Sequence, residues 1–93
     1  MPTQINQIDL PDRRRTILRV EGDMLREDAL LLERVVDGIH ASSGHSIVID
    51  LADLDFMDSD AASVLKRLVD RDEIEIEGVA IFLQSAIDMA ERA

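Results

Sequence analysis

A chain of 93 residues, 46% hydrophobic and 32% charged, has the apolar content for one core and too little length for two. Its formal net charge of −10 repels nucleic-acid phosphates and anionic lipid headgroups, which leaves a basic protein surface as the expected kind of partner. The absence of cysteine excludes disulfides, thiolate catalysis and cysteine-ligated metals, and no window approaches bilayer-crossing length, so a soluble, cytoplasmic chain without direct membrane insertion is expected.

Ile5, Ile8 and Leu10 lie in a partly alternating segment that halts at Pro11-Asp12, a pair suited to a turn. After Arg13-Arg14-Arg15, the residues Ile17, Leu18 and Val20 form a second strand candidate that stops at Glu21-Gly22-Asp23, where glycine permits a change of direction. Together they predict an N-terminal hairpin with a solvated basic tip. From Leu25, the residues Ala29, Leu32, Val36 and Ile39 recur at helical spacing, broadened by Leu30, Leu31 and Val35, and the pattern ends at Ala41-Ser42-Ser43-Gly44. Core packing against a sheet is the expected use of that stripe.

Ile47-Val48-Ile49-Asp50-Leu51 is apolar on both faces except for Asp50, as in a central strand. An acidic loop through Asp55-Phe56-Met57-Asp58 follows, and then Ala61, Val64, Leu65, Leu68 and Val69 repeat as a second helix. Glu73-Ile74-Glu75-Ile76-Glu77 alternates like a strand but fits the frayed helix end and its exit loop equally well. Beyond Gly78, Val79 to Leu83 reads as a buried strand, and Ser85 could cap a short last helix carrying Ile87, Met89 and Ala90. The predicted order is β-β-α-β-α-β-α, with strand–helix–strand units that imply parallel core strands beside the antiparallel hairpin.

Asp58 and Ser59 stand where the acidic loop enters the second helix, and either side chain could cap it by accepting a bond from a free amide of the first turn. A phosphoryl group on Ser59 would add about −1.5 to −2 charge to a loop already holding Asp55, Asp58 and Asp60. The helix terminus favours that charge and the three carboxylates oppose it, so the modification is expected to alter a docking surface while the fold survives.

With Leu54, Phe56-Met57-Asp58-Ser59 and the helix beyond, the strand Ile47 to Leu51 resembles the STAS family, the sulphate transporter and anti-sigma factor antagonist domains. The likeness is greatest to the stand-alone bacterial anti-sigma factor antagonists. The family pattern is an aliphatic strand, a short loop, then Asp-Ser-Ser or Asp-Ser-Thr and Gly-Leu, with the first serine as phosphorylation site; Ser59 occupies that position. Val20-Glu21-Gly22-Asp23 is similar to the family's glycine turn, and the element order agrees from about residue 4 to residue 92. Here Asp60 replaces the second hydroxyl residue, Ala61 the glycine and Ala62 the leucine. Asp60 would supply part of the charge that phosphorylation provides.

The resemblance implies a single α/β STAS-like domain over residues 1–93, a mixed sheet with helices, shortened after the helix that follows Val79. It also implies a non-enzymatic regulatory domain without a cofactor. Its unmodified form would bind an anti-sigma factor that is also a serine kinase; phosphorylation of Ser59 would end the complex and a phosphatase would restore it. Partner contact is expected at Asp58, Ser59, Asp60 and Ser63, with the oligomeric state open. The same family implies one alternative, an adaptor subunit of a lipid or anion transporter.

Asp50 at the end of a buried strand suggests a phosphoaspartate receiver, with Glu21 and Asp23 as an acidic pair, but the chain is short for that architecture and lacks a late strand ending in lysine. A calcium loop starting at Asp53 would put Met57 among the ligands and Asp58 where glycine must turn, and one starting at Asp58 would need oxygen from Ala62 and Val64. His40 and His45 have no cysteine partners and read as structural or surface residues. No metal site is expected.

Overall fold

A computed structural model describes residues 3–78. The hairpin consists of β1 (Gln4–Leu10) and β2 (Arg15–Met24), antiparallel, with Ile5 opposite Val20 and Ile8 opposite Ile17. A 3-10 turn at Pro11–Arg13 joins them; Arg14 closes it in the left-handed conformation, its amide donating to the Pro11 carbonyl. The three arginines at the tip are exposed, as their charge requires.

Within β2 the side chains alternate strictly, and Thr16, Leu18, Val20 and Met24 point into the core. The strand does not end at the predicted glycine turn. Gly22, with φ of 86°, sits where the pairing with the later strand Leu54–Met57 shifts register, that strand carrying Asp55 as the extra residue, and β2 continues to Met24. Glycine here does not end the strand because the residues after it still find a pairing partner.

Helix α1 (Arg26–Ser43) buries Ala29, Leu32, Val36 and Ile39, the predicted stripe. Leu25 lies outside the helix and is 48% exposed, and Leu31 is equally exposed, so the stripe is narrower than its apolar residues suggest. Gly44 ends α1 with φ of 69° and returns its amide to the His40 carbonyl.

β3 (Ser46–Asp50) pairs parallel with β2 and carries Ile47 and Ile49 into the core. At Leu51–Asp53 the chain breaks away and then resumes as β4 (Leu54–Met57), parallel to the last residues of β2. The acidic loop of the sequence thus contains a strand. It was hidden because Leu54 and Met57 are buried while Asp55 and Phe56 are both exposed, a pattern without period-two alternation. Helix α2 (Ser59–Val69) follows, with Ala61, Ala62, Val64, Leu65 and Leu68 buried. β5 (Ile74–Glu77) pairs parallel with β3, so the ambiguous alternating segment is a strand. The predicted strand from Val79 and helix from Ser85 lie outside the described residues.

The fold is therefore mixed α/β, a mostly parallel five-stranded sheet with an antiparallel N-terminal strand. Alternate residues of β2 and β3 share one apolar cluster with the buried faces of α1 and α2. The helices are also tied at their surface. Arg67 makes a two-point contact with Glu33 at 2.9 and 3.0 Å, and Arg71 reaches Asp37 on α1 and Glu73 beside β5. Such exposed pairs fix orientation more than they add stability.

Leu65 is fully buried and Leu31 half exposed. Leu65→Ala should cost about 2–5 kcal/mol in urea denaturation, and Leu31→Ala less than about 1 kcal/mol.

Asp9 is held below the usual carboxylate range, first by the Gln7 amide and then by the Thr16 hydroxyl. Its contribution to stability is present above the ordinary carboxylate pKa of about 4 and disappears as pH falls through the lower folded-state value. Asp9→Asn should therefore lower the melting temperature at neutral pH, leave it nearly unchanged below the folded-state value, and so flatten the acid limb of the profile.

Candidate functional site

Helix α2 begins where β4 leaves the sheet, and this junction fixes the chain before any side chain is considered. The Asp58 amide donates to the Met24 carbonyl at the end of β2, 3.1 Å away, and the Asp58 carbonyl accepts the Ala62 amide. Asp58 has extended backbone angles, φ −82° and ψ 172°, and Ser59 is the first helical residue. Asp58 is thus the cap, a choice its sequence neighbour Ser59 shared until the backbone was known.

The two carboxylate oxygens of Asp58 serve two different helices. Oδ1 accepts the Ala61 amide of α2 at 2.7 Å, and Oδ2 accepts the Arg26 amide at the start of α1 at 3.2 Å. Leu25, the residue in the cap position of α1, has no side-chain oxygen. Asp28 takes the Leu25 amide at 3.0 Å, but the helix's own first amide is satisfied from outside, by Asp58. A carboxylate between two helix N-termini also meets the positive end of both dipoles.

Ser59 is exposed, and its hydroxyl has no hydrogen-bond partner among the described residues. Its carbonyl accepts the Ser63 hydroxyl at 3.1 Å, which turns Ser63 back onto its own helix. Asp60 is exposed beside Ser59 in the first turn. Asp58, Ser59, Asp60 and Ser63 therefore cluster at the start of α2, where Ser59, Asp60 and Ser63 are exposed and Asp58 is half-buried. Ala61 and Ala62 are fully buried and pack the start of α2 against the core.

Sequence reasoning missed the exposed apolar side chains on the segments that lead into the two helices. Phe56 is 50% exposed on β4, opposite Asp23, and Leu25 is 48% exposed just beyond Met24. Leu25, Arg26, Glu27, Asp28 and Asp58 line a shallow concavity between the two helix starts. The available signal was a leucine just before Arg26-Glu27-Asp28, where a polar cap is usual.

The other candidates have structural roles. Asp50 Oδ1 accepts the Ala52 amide at 3.0 Å, and Oδ2 lies 3.5 Å from Arg19. Gly78 sits so close that a Cβ there would fall 2.9 Å from Oδ1, so Asp50 shapes a turn under a crowded backbone. His45 Nδ1 lies 3.3 Å from the hydroxyl of Thr16, which donates to Asp9. Among the described residues, no group of three or more His, Asp or Glu could hold a metal ion, and no helix is long and apolar enough to cross a membrane.

The family model for the STAS domain matches residues 4–91. The chain belongs to the STAS domain family. A crystal structure of an uncharacterised protein from Shewanella loihica PV-4, of the DUF3478 family and with a SpoIIAA-like fold, is similar with a TM-score of 0.60 and 19% identity over 97% of this chain and 77% of that one. Such identity establishes a shared fold. No curated protein matches the chain. In STAS terms, the cap and the exposed hydroxyl of this chain fall at the strand-to-helix junction on which the family resemblance rests.

Asp58→Ala removes an acceptor from two helices and should cost about 1–2 kcal/mol in chemical denaturation, whereas Ser59→Ala should stay within about 0.5 kcal/mol. Asp58→Asn, which keeps an acceptor oxygen, should fall between them.

Proposed function

We propose that this STAS domain is a non-enzymatic regulatory module, an anti-sigma factor antagonist that binds an anti-sigma factor with serine kinase activity and is switched by phosphorylation of Ser59. The observation that carries the reading is an exposed serine hydroxyl at the first position of α2, beside a separate capping carboxylate. Because Asp58 does the capping, Ser59 can be modified without removing the bond that starts the helix.

In the reaction, Ser59 Oγ would form a bond to the γ-phosphorus of ATP as the bond to the ADP oxygen breaks, and the hydroxyl proton would pass to the kinase. The domain is substrate and binding partner, and the base belongs to the kinase. Phosphorylation adds about −1.5 to −2 charge in front of Asp55, Asp58 and Asp60, enough to change the electrostatic complementarity of a docked surface. A phosphatase would return the surface to its binding form. The net charge of −10 favours a basic protein face as partner and disfavours nucleic acid. A cytoplasmic location follows from this role and from the lack of cysteine.

The test combines mass spectrometry with calorimetry. Incubation with ATP and a purified anti-sigma serine kinase from the same genome should place one phosphate on Ser59 and none on Ser63. Ser59→Ala should bind that kinase like the unmodified chain, and Ser59→Asp at least about tenfold more weakly, the scale of one unfavourable interfacial charge. Equal affinity of both variants would overturn the switch and favour a passive adaptor, such as a transporter subunit.

A further inference from the structure

We propose that Asp58 is a positioning residue that relays the state of Ser59 to the first turn of α1, so that both helix starts respond to modification as one unit. The inference rests on the reading of Ser59 as the modified residue and adds where its effect travels. Its basis is a division of labour within one carboxylate: Oδ1 on the Ala61 amide of α2, Oδ2 on the Arg26 amide of α1, a residue 32 positions away in the chain.

Three features make that carboxylate a relay. First, α1 has no substitute acceptor at its cap, because Leu25 carries no oxygen and Asp28 is already used on the Leu25 amide. Second, a phosphoryl dianion on the adjacent Ser59 would repel Asp58 and compete with it for the amides at the start of α2, which are a natural anion site. Third, counter-charge is scarce: residues 25–28 and 55–60 hold Glu27, Asp28, Asp55, Asp58 and Asp60 against Arg26 as their single cation. A shift of Asp58 away from the phosphate weakens the Arg26 contact, which is already the longer of its two bonds.

The consequence concerns the surface a partner meets. Leu25 immediately precedes the Arg26 amide, is 48% exposed, and lines a concavity with Asp58. A change at Ser59 would thus alter the seating of Leu25 as well as the charge of α2. The unmodified state presents Leu25 and the serine together, and the modified state disturbs both.

The experiment uses the full chain, labelled with nitrogen-15, and follows solvent exchange of individual amides by NMR. Compared are the unmodified protein, the protein carrying phosphoserine at position 59, Asp58→Ala, Asp58→Asn, and each Asp58 variant with phosphoserine at 59. Phosphoserine alone and Asp58→Ala alone should each speed exchange at Arg26 by about tenfold relative to Val36 and Leu68, the scale of one charge-assisted hydrogen bond, those two core amides reporting any global loss of stability. Phosphoserine in the Asp58→Ala background should add less than about twofold at Arg26, because the relay is already gone. Should Asp58→Ala not fold, the Asp58→Asn pair decides, since the neutral amide is not repelled and the phosphoserine effect at Arg26 should shrink to under about threefold.

An Arg26 amide that ignores phosphoserine, or one that responds fully in both Asp58 variants, overturns the relay. Kinase affinity measured on the same samples separates the two proposals. Weaker binding with an unmoved Arg26 would leave Ser59 as the switch and remove Asp58 as its relay, whereas a moved Arg26 with unaltered affinity would support the relay and remove the binding switch.

Discussion

Both oxygens of Asp58 are committed before any partner arrives, one to each helix that covers the sheet. Helix starts leave amides without intrahelical acceptors, and α1 opens after a leucine that cannot supply one. The carboxylate closes that gap from across the fold, while the Asp58 amide anchors the same residue to the end of β2. A single residue thereby joins β2, α1 and α2 at one corner, and the exposed serine sits next to it. Where Ser59 points, and what surrounds it, follows from that joint.

The remainder of the architecture supports the corner without taking part in it. β2 is the organising strand, with β1 on one side and β3 and then β4 alongside, and a register shift at Gly22, taken up by Asp55 of β4, lets the two follow the break between β3 and β4. Farther along, Arg67 with Glu33 ties α2 to α1 at their outer surface, and Arg71, just past the end of α2, reaches Asp37 on α1. The helix pair is thus fixed at its N-terminal corner by Asp58, along its length by apolar packing, and on its exposed side by ion pairs. Such a frame suits a surface that changes charge without changing fold.

Much of this was legible in residue order because the controlling forces are local or periodic. The buried stripe of α1, the apolar face of α2, the hairpin and the β3 core strand all follow from side-chain spacing, and membership of the STAS family agrees with them. Short elements were less visible. β4 is four residues long with two exposed neighbours at its centre, and β5 alternates for too few residues to exclude a helix end. Both become strands through pairing with partners distant in the chain, a property no local window contains.

The same division holds at the candidate site. By itself the sequence determined that a helix begins at Asp58-Ser59 and that acidic residues crowd its first turn, and its resemblance to the STAS family pointed to Ser59 as the proposed phosphorylation site. Tertiary structure alone decided that Asp58 is the cap, that it also completes α1, that Leu25 shares a concavity with Asp58, and that Asp50 is held in a turn. The physical reason is reach. Periodicity reports the faces of an element, whereas a hydrogen bond between residues 26 and 58 exists only once the sheet has brought two helix starts together.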